Sequence, residues 1–278
     1  MRAELSPSST SMDLRMTNRF DARPSLLALL GVALLAAAPA ARAEDKTDGQ
    51  WRGNGAAAFS LTSGNTSTRA LLLSADATRA TTADKITLGI NSNYGRSRNG
   101  GVTETTSNKW AAGGQYDFNL SPRLYAFGKL GLEGDKLADL DLRSTLAAGL
   151  GYKLINTPET TFDLLAGVAY STDKYGDLQT IAGKTDNRFS RTSVMLGEAS
   201  THQLSSTVSF KQRLELYPGL SGDKAKLAKF TAGLGVAMSS TMQLTVGLTD
   251  NYNSKPPVGQ KKNDVGVFTG INVKFGAS

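Results

Sequence analysis

Hydrophobic and polar residues alternate along most of the chain that follows residue 50. The segment 264–275 is one example, because its odd positions carry Val265, Val267, Thr269, Ile271, Val273 and Phe275. A period of two residues is the signature of a β-strand. The alternation recurs in about twelve segments, near 51–61, 67–78, 85–95, 105–118, 124–133, 141–154, 161–172, 189–200, 207–217, 226–238, 242–252 and 264–275. The pattern therefore predicts an all-β protein of about twelve strands.

These segments are about ten residues long, which is the length of a tilted β-strand that crosses a bilayer. Their apolar sides face either lipid or a protein core, and alternation alone fits both arrangements. A barrel in lipid turns its apolar side outward, whereas a water-soluble barrel turns it inward. The aromatic residues and the connections between the segments distinguish the two.

Aromatic residues gather near the ends of the segments. Barrels in lipid carry two girdles of aromatic residues, because amphipathic rings settle at the level of the lipid headgroups. One predicted rim carries Tyr116, Phe118, Tyr152, Phe162 and Phe275, and the other carries Tyr94, Tyr170, Tyr217 and Tyr252. The distribution favours lipid against the outer face. Ordinary aromatic residues at strand ends are the alternative explanation.

The connections between the segments alternate in length. Short turns such as "NLSPR" and "HQLSS" alternate with longer connections such as "STDKYGDLQTIAGKTDN" and "NSKPPVGQKKN". Short periplasmic turns and longer outer loops are typical of outer-membrane barrels. The sequence thus predicts an antiparallel up-and-down transmembrane β-barrel in the outer membrane. A soluble periplasmic β-barrel binding module is the alternative.

The first 43 residues have the pattern of a secretory signal. Arginines precede the apolar run "LLALLGVALLAAAPA", and small residues stand before Glu44. A charged flank, a short apolar stretch and small residues predict cleavage after Ala43. We expect residues 1–43 to be a signal peptide, residues 44–50 a short periplasmic segment and residues 51–278 the barrel domain. A membrane anchor is the alternative, but the run is short for a span of roughly 20 residues.

Three stretches of the sequence resemble one known family. They are "WRGNGAAAFSLTSGNTSTRALLLSADATR", "RLYAFGKLGLEGDKLADLDLRSTLAAGLGYKL" and "LTDNYNSKPPVGQKKNDVGVFTGINVKF". The Trp-x-Gly start, the Ser-Gly-Asn-Thr turn and the Asn-Ser-x-Pro-Pro segment resemble the domain of unknown function 481 (DUF481) family, whose YdiY-type members are described as salt-induced outer membrane proteins. The resemblance covers about residues 45–275. It implies an outer-membrane barrel linked to salt or osmotic stress, and it implies no catalytic residue.

The composition restricts the chemistry available to the chain. There is no cysteine, which excludes disulfides and thiolate chemistry, and the single histidine is His202. Barrel enzymes with a catalytic histidine need it near the outer rim, whereas His202 lies in a predicted periplasmic turn. We therefore predict no catalytic residue, no metal site, no cofactor and no enzymatic turnover. An outer-membrane barrel enzyme with a histidine-free carboxylate site is the alternative.

The predicted inner faces carry more basic than acidic residues. The acidic positions are Asp76, Asp117, Glu133, Asp163 and Glu215. The basic positions are Arg52, Lys109, Lys129, Arg143, Lys153, Lys211, Arg213, Lys229 and Lys274. A barrel of about twelve strands is wider than the side-chain-filled type with eight and narrower than porins with 16–18. The charges either pair across the lumen and plug it, or they line a narrow water-filled channel that prefers anions.

The predicted location determines the expected partners. These are outer-membrane lipid, lipopolysaccharide and, during insertion, the barrel-assembly machinery. A small anionic solute is the candidate cargo of an open lumen. The net positive charge does not indicate nucleic acid in this compartment.

Overall fold

The computed structural model describes residues 46–62 and 66–276, and the predicted signal peptide, residues 1–43, lies outside the described residues. The described part forms twelve β-strands and one 3-10 turn, Lys136–Ala138. The strands are β1 (Asp48–Thr62), β2 (Thr66–Thr81), β3 (Asp84–Asn99), β4 (Val102–Asn119), β5 (Leu124–Asp135), β6 (Leu140–Asn156), β7 (Thr160–Ile181), β8 (Lys184–Gln203), β9 (Val208–Pro218), β10 (Lys226–Ala237), β11 (Met242–Asn253) and β12 (Asn263–Gly276). In this part of the chain no helix is long and apolar enough to span a membrane.

The twelve strands close into one antiparallel barrel. Each strand pairs with its neighbours in the chain, and β1 pairs with β12, so that Gly53 lies opposite Phe275. A closed sheet leaves no unpaired edge, and lipid offers no hydrogen-bond partner to such an edge. The predicted up-and-down barrel of about twelve strands is therefore confirmed.

The connections divide the barrel into two ends. What we call the turn end holds residue 48, residue 276 and the connections 82–83, 120–123, 157–159, 204–207 and 238–241. What we call the loop end holds the other connections, among them Lys136–Ala138, 219–225 and 254–262. Because consecutive strands run in opposite directions, successive connections alternate between the two ends of the barrel. The connections at the turn end are two to four residues long, as the sequence predicts, whereas the loop end holds the longer connections 219–225 and 254–262 together with two-residue turns.

The outer face of the barrel is apolar and exposed. Ile90, Leu146 and Val168 are 58%, 63% and 60% exposed, although each lies within a strand. Their strand neighbours on the inner face, such as Ala147, are small or polar and often buried. An apolar belt around a closed sheet is stable against hydrocarbon and unfavourable in water. The chain is a transmembrane β-barrel of the outer membrane.

Two of the predicted outer loops are mostly strand. β7 and β8 continue to a tight turn at Ala182 and Gly183, where both residues have positive φ. β3 and β4 likewise continue to Gly100 and Gly101. Polar residues dominate these extensions, so the period-two pattern that marks a half-buried strand disappears there. The pairing continues because backbone hydrogen bonds do not require an apolar face.

Eight of the nine predicted girdle residues lie on the outer face by their strand register: Tyr94, Tyr116, Phe118, Tyr152, Phe162, Tyr170, Tyr252 and Phe275. Tyr217 is the exception, and its assignment to the girdle is wrong. It is 4% exposed and belongs to the inner core, where its hydroxyl donates to Glu215 Oε2 at 2.7 Å. Tyr217 lies two residues after Glu215, so period two places both residues on the same, inner face.

Arginine at Ile90 and at Gly89 provides a direct test of the two faces. Ile90 faces outward, whereas a side chain at Gly89 enters open space inside the barrel. We expect Ile90→Arg to lower the free energy of unfolding by about 2–4 kcal/mol, the cost of arginine near the bilayer midplane. Gly89→Arg is expected to cost much less. Urea titration of barrels in lipid vesicles measures both values, and equal costs would contradict the assigned faces.

Candidate functional site

The register of the strands places the nine basic positions on the inner face. Lys129, Arg213 and Lys229, for example, alternate with the exposed apolar residues Leu130, Leu216 and Leu234. The same face also carries Lys85 and Arg191, and the acidic residues Asp135, Asp173 and Asp264. The lumen is therefore more nearly balanced in charge than the sequence pattern indicates.

Side chains of β4 and β5 reach those of β9 and β10 across the lumen. Lys129 pairs with Glu215, and Lys229 Nζ lies 2.5 Å from Glu133 Oε2. In a round barrel with strands about 4.8 Å apart, walls four or five strands apart would be separated by roughly 15 Å or more. A lysine and a glutamate do not bridge that distance. The two walls therefore approach each other and divide the lumen.

A second set of contacts strengthens the same crossing. Arg213 Nε lies 2.6 Å from Glu215 Oε1, and Arg213 Nη2 donates to Gln115 Oε1 at 3.0 Å. Glu215 is thus shared by Lys129, Arg213 and the hydroxyl of Tyr217. A buried carboxylate needs several donors to offset its lost hydration. Glu215 has three such donors, so the contact between the two walls keeps a fixed geometry.

The side of the lumen bounded by β5 to β10 is packed. Its core cluster consists of Tyr125, Phe127, Ala147, Leu165, Ala169, Met195, Tyr217 and Leu227. Tyr125 fills the space above Gly151, where a Cβ would lie 2.1 Å from the ring, and its hydroxyl donates to Asp163 Oδ2 at 3.0 Å. Met195 is fully buried. This half contains side chains where a channel would contain water.

A buried ion cluster closes the packed half near the loop end. Arg143 makes a two-bond contact with Asp173, at 2.6 and 2.7 Å, and a third bond to Glu133. Arg191, which is 1% exposed, pairs with Asp173 and with Asp223. Asp223 belongs to the connection 219–225, so the cluster fixes that connection against β8. Removing one partner of such a buried pair leaves an uncompensated charge and is strongly destabilising.

The other side of the lumen, bounded by β11, β12 and β1 to β4, is open. Asp76, Gly89, Asn91 and Gly113 point inward and are nevertheless exposed. They are neighbours on three strands, because Gly89 pairs with both Asp76 and Gly113 and Asn91 lies beside Gly89. Inward residues are exposed only where the lumen holds space for water. We call these four residues the open wall.

Glycines extend the space beside the open wall. Gly89, Gly113 and Gly131 form one register row across β3, β4 and β5. A Cβ added at Gly89 or Gly131 would meet no atom within 4 Å. The row lies between the ion pairs Lys129–Glu215 and Lys229–Glu133. Because glycine has no side chain, it leaves a gap between these two contacts. The sequence contains these glycines, but only the register shows that they are aligned.

Three of the nine predicted inward basic residues form no ion pair with a carboxylate in the described part of the chain, and they lie toward the turn end. They are Lys153, Lys211 and Lys274. Lys153 Nζ instead lies 5.9 Å from the centre of the Tyr125 ring. Arg52, by contrast, pairs with Asp48, and Lys109 pairs with Asp135 and Asp264. Asp117 and Asp163 also face inward near this end, and Asp163 is the register partner of Lys153, so their negative charge offsets the three lysines in part.

His202 lies on the outer face near the turn end. It pairs in register with Phe210, and the two rings stack with centroids 6.2 Å apart. Among the residues that the structure describes, no group of three histidine, cysteine, aspartate or glutamate side chains is arranged to hold a metal ion. The geometry inside the barrel suits passage or structural closure, because the inward polar groups are either paired with each other or open to water.

Comparison with known proteins identifies one curated relative and several solved barrels. The chain is 30% identical over 157 residues to the uncharacterized protein YdiY of Escherichia coli (strain K12), and the match covers 55% of this chain and 56% of YdiY. The aligned region is thus about half the length of that relative.

The solved structures with similar folds are also barrels. An outer membrane channel from Pseudomonas putida F1 is 12% identical, with a TM-score of 0.46, over 84% of this chain and all of that chain. The NanC porin is 12% identical, with a TM-score of 0.45, over 80% of this chain and 98% of that chain. With identities and TM-scores this low, these similarities carry no inference about a solute.

The family comparison covers most of the barrel. The model described as "Protein of unknown function, DUF481" matches residues 55–275, from β1 to the end of β12. The sequence resemblance to this family is thereby confirmed. The chain belongs to the DUF481 family.

Proposed function

We propose that this barrel is a narrow passive conduit for small solutes, with a preference for anions and without enzymatic turnover. The observation that carries the proposal is the open wall, where Asp76, Gly89, Asn91 and Gly113 face the lumen and remain exposed. A structural barrel has no need to keep inward residues in contact with solvent. The packed half would narrow the path without filling it.

The proposed preference for anions rests on the uncompensated lysines. Lys211 and Lys274 lie on the inner face near the turn end, which we assign to the periplasm, and no carboxylate of the described residues pairs with them. Fixed positive charge in a low-dielectric wall raises the local concentration of anions. Asp76 lies in the same register row as Lys274, with Asn54 between them, and together with the inward residues Asp117 and Asp163 it opposes the effect in part. The preference is therefore expected to be weak.

An envelope-structural barrel is the second candidate, and the cross-lumen ion pairs favour it. Lys129–Glu215 and Lys229–Glu133 join opposite walls, as a plug would. If the conduit is closed, these contacts would stiffen the barrel under osmotic or salt stress, the condition that the sequence resemblance implies. Contacts with lipopolysaccharide and the barrel-assembly machinery belong to either proposal. Thiol labelling and conductance separate the two candidates.

Thiol labelling of single cysteines tests whether the open wall is accessible to water and to aqueous reagents. The chain has no native cysteine, so a single introduced thiol gives an unambiguous signal. We expect Gly89→Cys to react within minutes with a membrane-impermeant maleimide in folded barrels. Ala147→Cys, which faces the packed half and is 2% exposed in the native chain, is expected to react only after heating in detergent. Equal protection of both thiols would favour the plugged, structural barrel.

Conductance under a salt gradient tests selectivity. We expect purified barrels in planar bilayers to show a reversal potential of anion preference. The preference should fall as salt rises, because the Debye length falls from roughly 10 Å at 0.1 M to 3 Å at 1 M. Lys211→Gln with Lys274→Gln should remove it without changing thermal stability.

Arg143→Gln is the contrasting variant. Arg143 is held by Asp173 and Glu133, so its loss should destabilise the barrel and alter selectivity little. Heat-modifiable gel mobility reports the stability of every variant. A cation-selective reversal potential in the native protein would contradict the proposed preference, and no conductance in any variant would contradict the conduit.

A further inference from the structure

The outer face of β8 and β9 carries an unusual polar patch near the turn end. Glu198, Ser200 and His202 occupy alternate positions on β8, and Gln212 lies opposite Ser200 on β9. Their register partners include Leu164, Phe162 and Leu214, which belong to the apolar outer belt. We call Glu198, Ser200, His202 and Gln212 the outer polar patch. A membrane barrel normally places such residues in its lumen.

Glu198 has no compensating positive charge in the described part of the chain. Gln212 Nε2 donates to Glu198 Oε1 at 3.1 Å, whereas Glu198 Oε2 has no hydrogen-bond partner. No ion pair joins Glu198 to any basic side chain of the described strands. A carboxylate on the lipid side is costly, and such a residue marks a functional site with an external partner.

Ser200 gives a second, independent indication. Its side chain is buried, with the residue 4% exposed, and its Oγ has no hydrogen-bond partner. An unpaired buried hydroxyl costs free energy that a suitable ligand would recover. Ser200 pairs in register with Phe162, one of the aromatic residues of the turn-end rim. The patch therefore lies near the level of lipid headgroups rather than at the bilayer centre.

An apolar groove lies beside the patch on the outer face of β5 to β8, partly in the register row of Glu198 and partly in the next outward row toward the loop end. It has a volume of about 450 Å³. Its outward-facing lining is Leu124, Leu150, Tyr152, Leu164, Ala166 and Leu196. Leu164 is the register partner of Glu198, and Leu196 precedes it by two residues on the same face. Polar groups at headgroup level, beside an apolar groove that extends one row toward the membrane interior, match an amphiphile.

We propose that this surface binds a phospholipid with a primary ammonium headgroup, of the phosphatidylethanolamine type. Glu198 Oε2 and Ser200 Oγ are both buried, so binding requires rotation of these side chains toward the headgroup. The ammonium then supplies the positive charge and the donor that Glu198 Oε2 lacks, the Ser200 hydroxyl donates to a phosphate or ester oxygen, and one acyl chain lies in the groove. A second copy of this chain fits less well, because a symmetric contact would bring two uncompensated carboxylates together.

Native mass spectrometry of the delipidated barrel tests the proposal. The protein in detergent is mixed with phosphatidylethanolamine, phosphatidylcholine or phosphatidylglycerol that have identical acyl chains. Phosphatidylcholine keeps the net charge but has no N–H donor on its headgroup, and phosphatidylglycerol is anionic. We expect the native protein to retain phosphatidylethanolamine roughly tenfold more strongly than either of the others, the effect of one hydrogen bond to a charged group.

Two variants and two controls complete the experiment. Glu198→Gln is expected to remove the preference, and Ser200→Ala to weaken it. Asp250→Asn and Ser92→Ala, which change a carboxylate and a serine elsewhere on the outer face, should leave it intact. Heat-modifiable mobility confirms that each variant is folded.

Equal retention of the three lipids by the native protein would overturn the proposal, and so would an unchanged preference in Glu198→Gln. A protein dimer that disappears in Glu198→Gln would also overturn it, since that result would assign the surface to a second copy. None of these outcomes depends on conductance, so they are independent of whether the barrel is a conduit.

Discussion

The requirement that every backbone N–H and C=O be paired inside lipid governs the rest of this structure. The pairing of β1 with β12 meets it, because it removes the two edges that an open twelve-stranded sheet would expose. Closure separates two environments, and the period of two then assigns each residue to lipid or to the lumen. A shift of one residue in any strand would exchange the two faces, so closure and register support each other.

Inside the barrel, the decisive interaction is the ion pairing across the lumen. Glu215 on β9 accepts from Lys129 on β5 and from Arg213 on its own strand, and Glu133 on β5 accepts from Arg143 on β6 and Lys229 on β10. The two pairs that cross the lumen draw the walls of β4–β5 and β9–β10 together. Packing on one side of this crossing follows from the large side chains there, such as Tyr125 and Met195. Space on the other side follows from glycine and asparagine, such as Gly89 and Asn91. The crossing thus separates a packed part of the lumen from an open part.

The sequence predicts the strands well and the lumen only in part. Alternation locates the twelve strands, because lipid on one side imposes a strong period of two, but the segment 189–200 in β8 has no clean apolar face and the polar ends of β7 and β8 carry no such pattern. The two-residue alternation alone assigns the nine basic residues to the inner face. Their partners were not, since Glu215 and Lys129 are 86 residues apart in the chain and meet only after closure. Arg191 was missed because its segment has polar residues on both faces.

That mixed segment on β8 connects the two unusual features of the barrel. Its inner face carries the buried cation Arg191, which two aspartates compensate, and its outer face carries Glu198, which no side chain of the described residues compensates. The same strand therefore satisfies a charge within the protein on one side and leaves one unsatisfied toward the membrane on the other. A chain under selection for stability alone would replace Glu198 by an apolar residue, as at Leu164 beside it. An external group that compensates the charge supplies a physical reason for its presence.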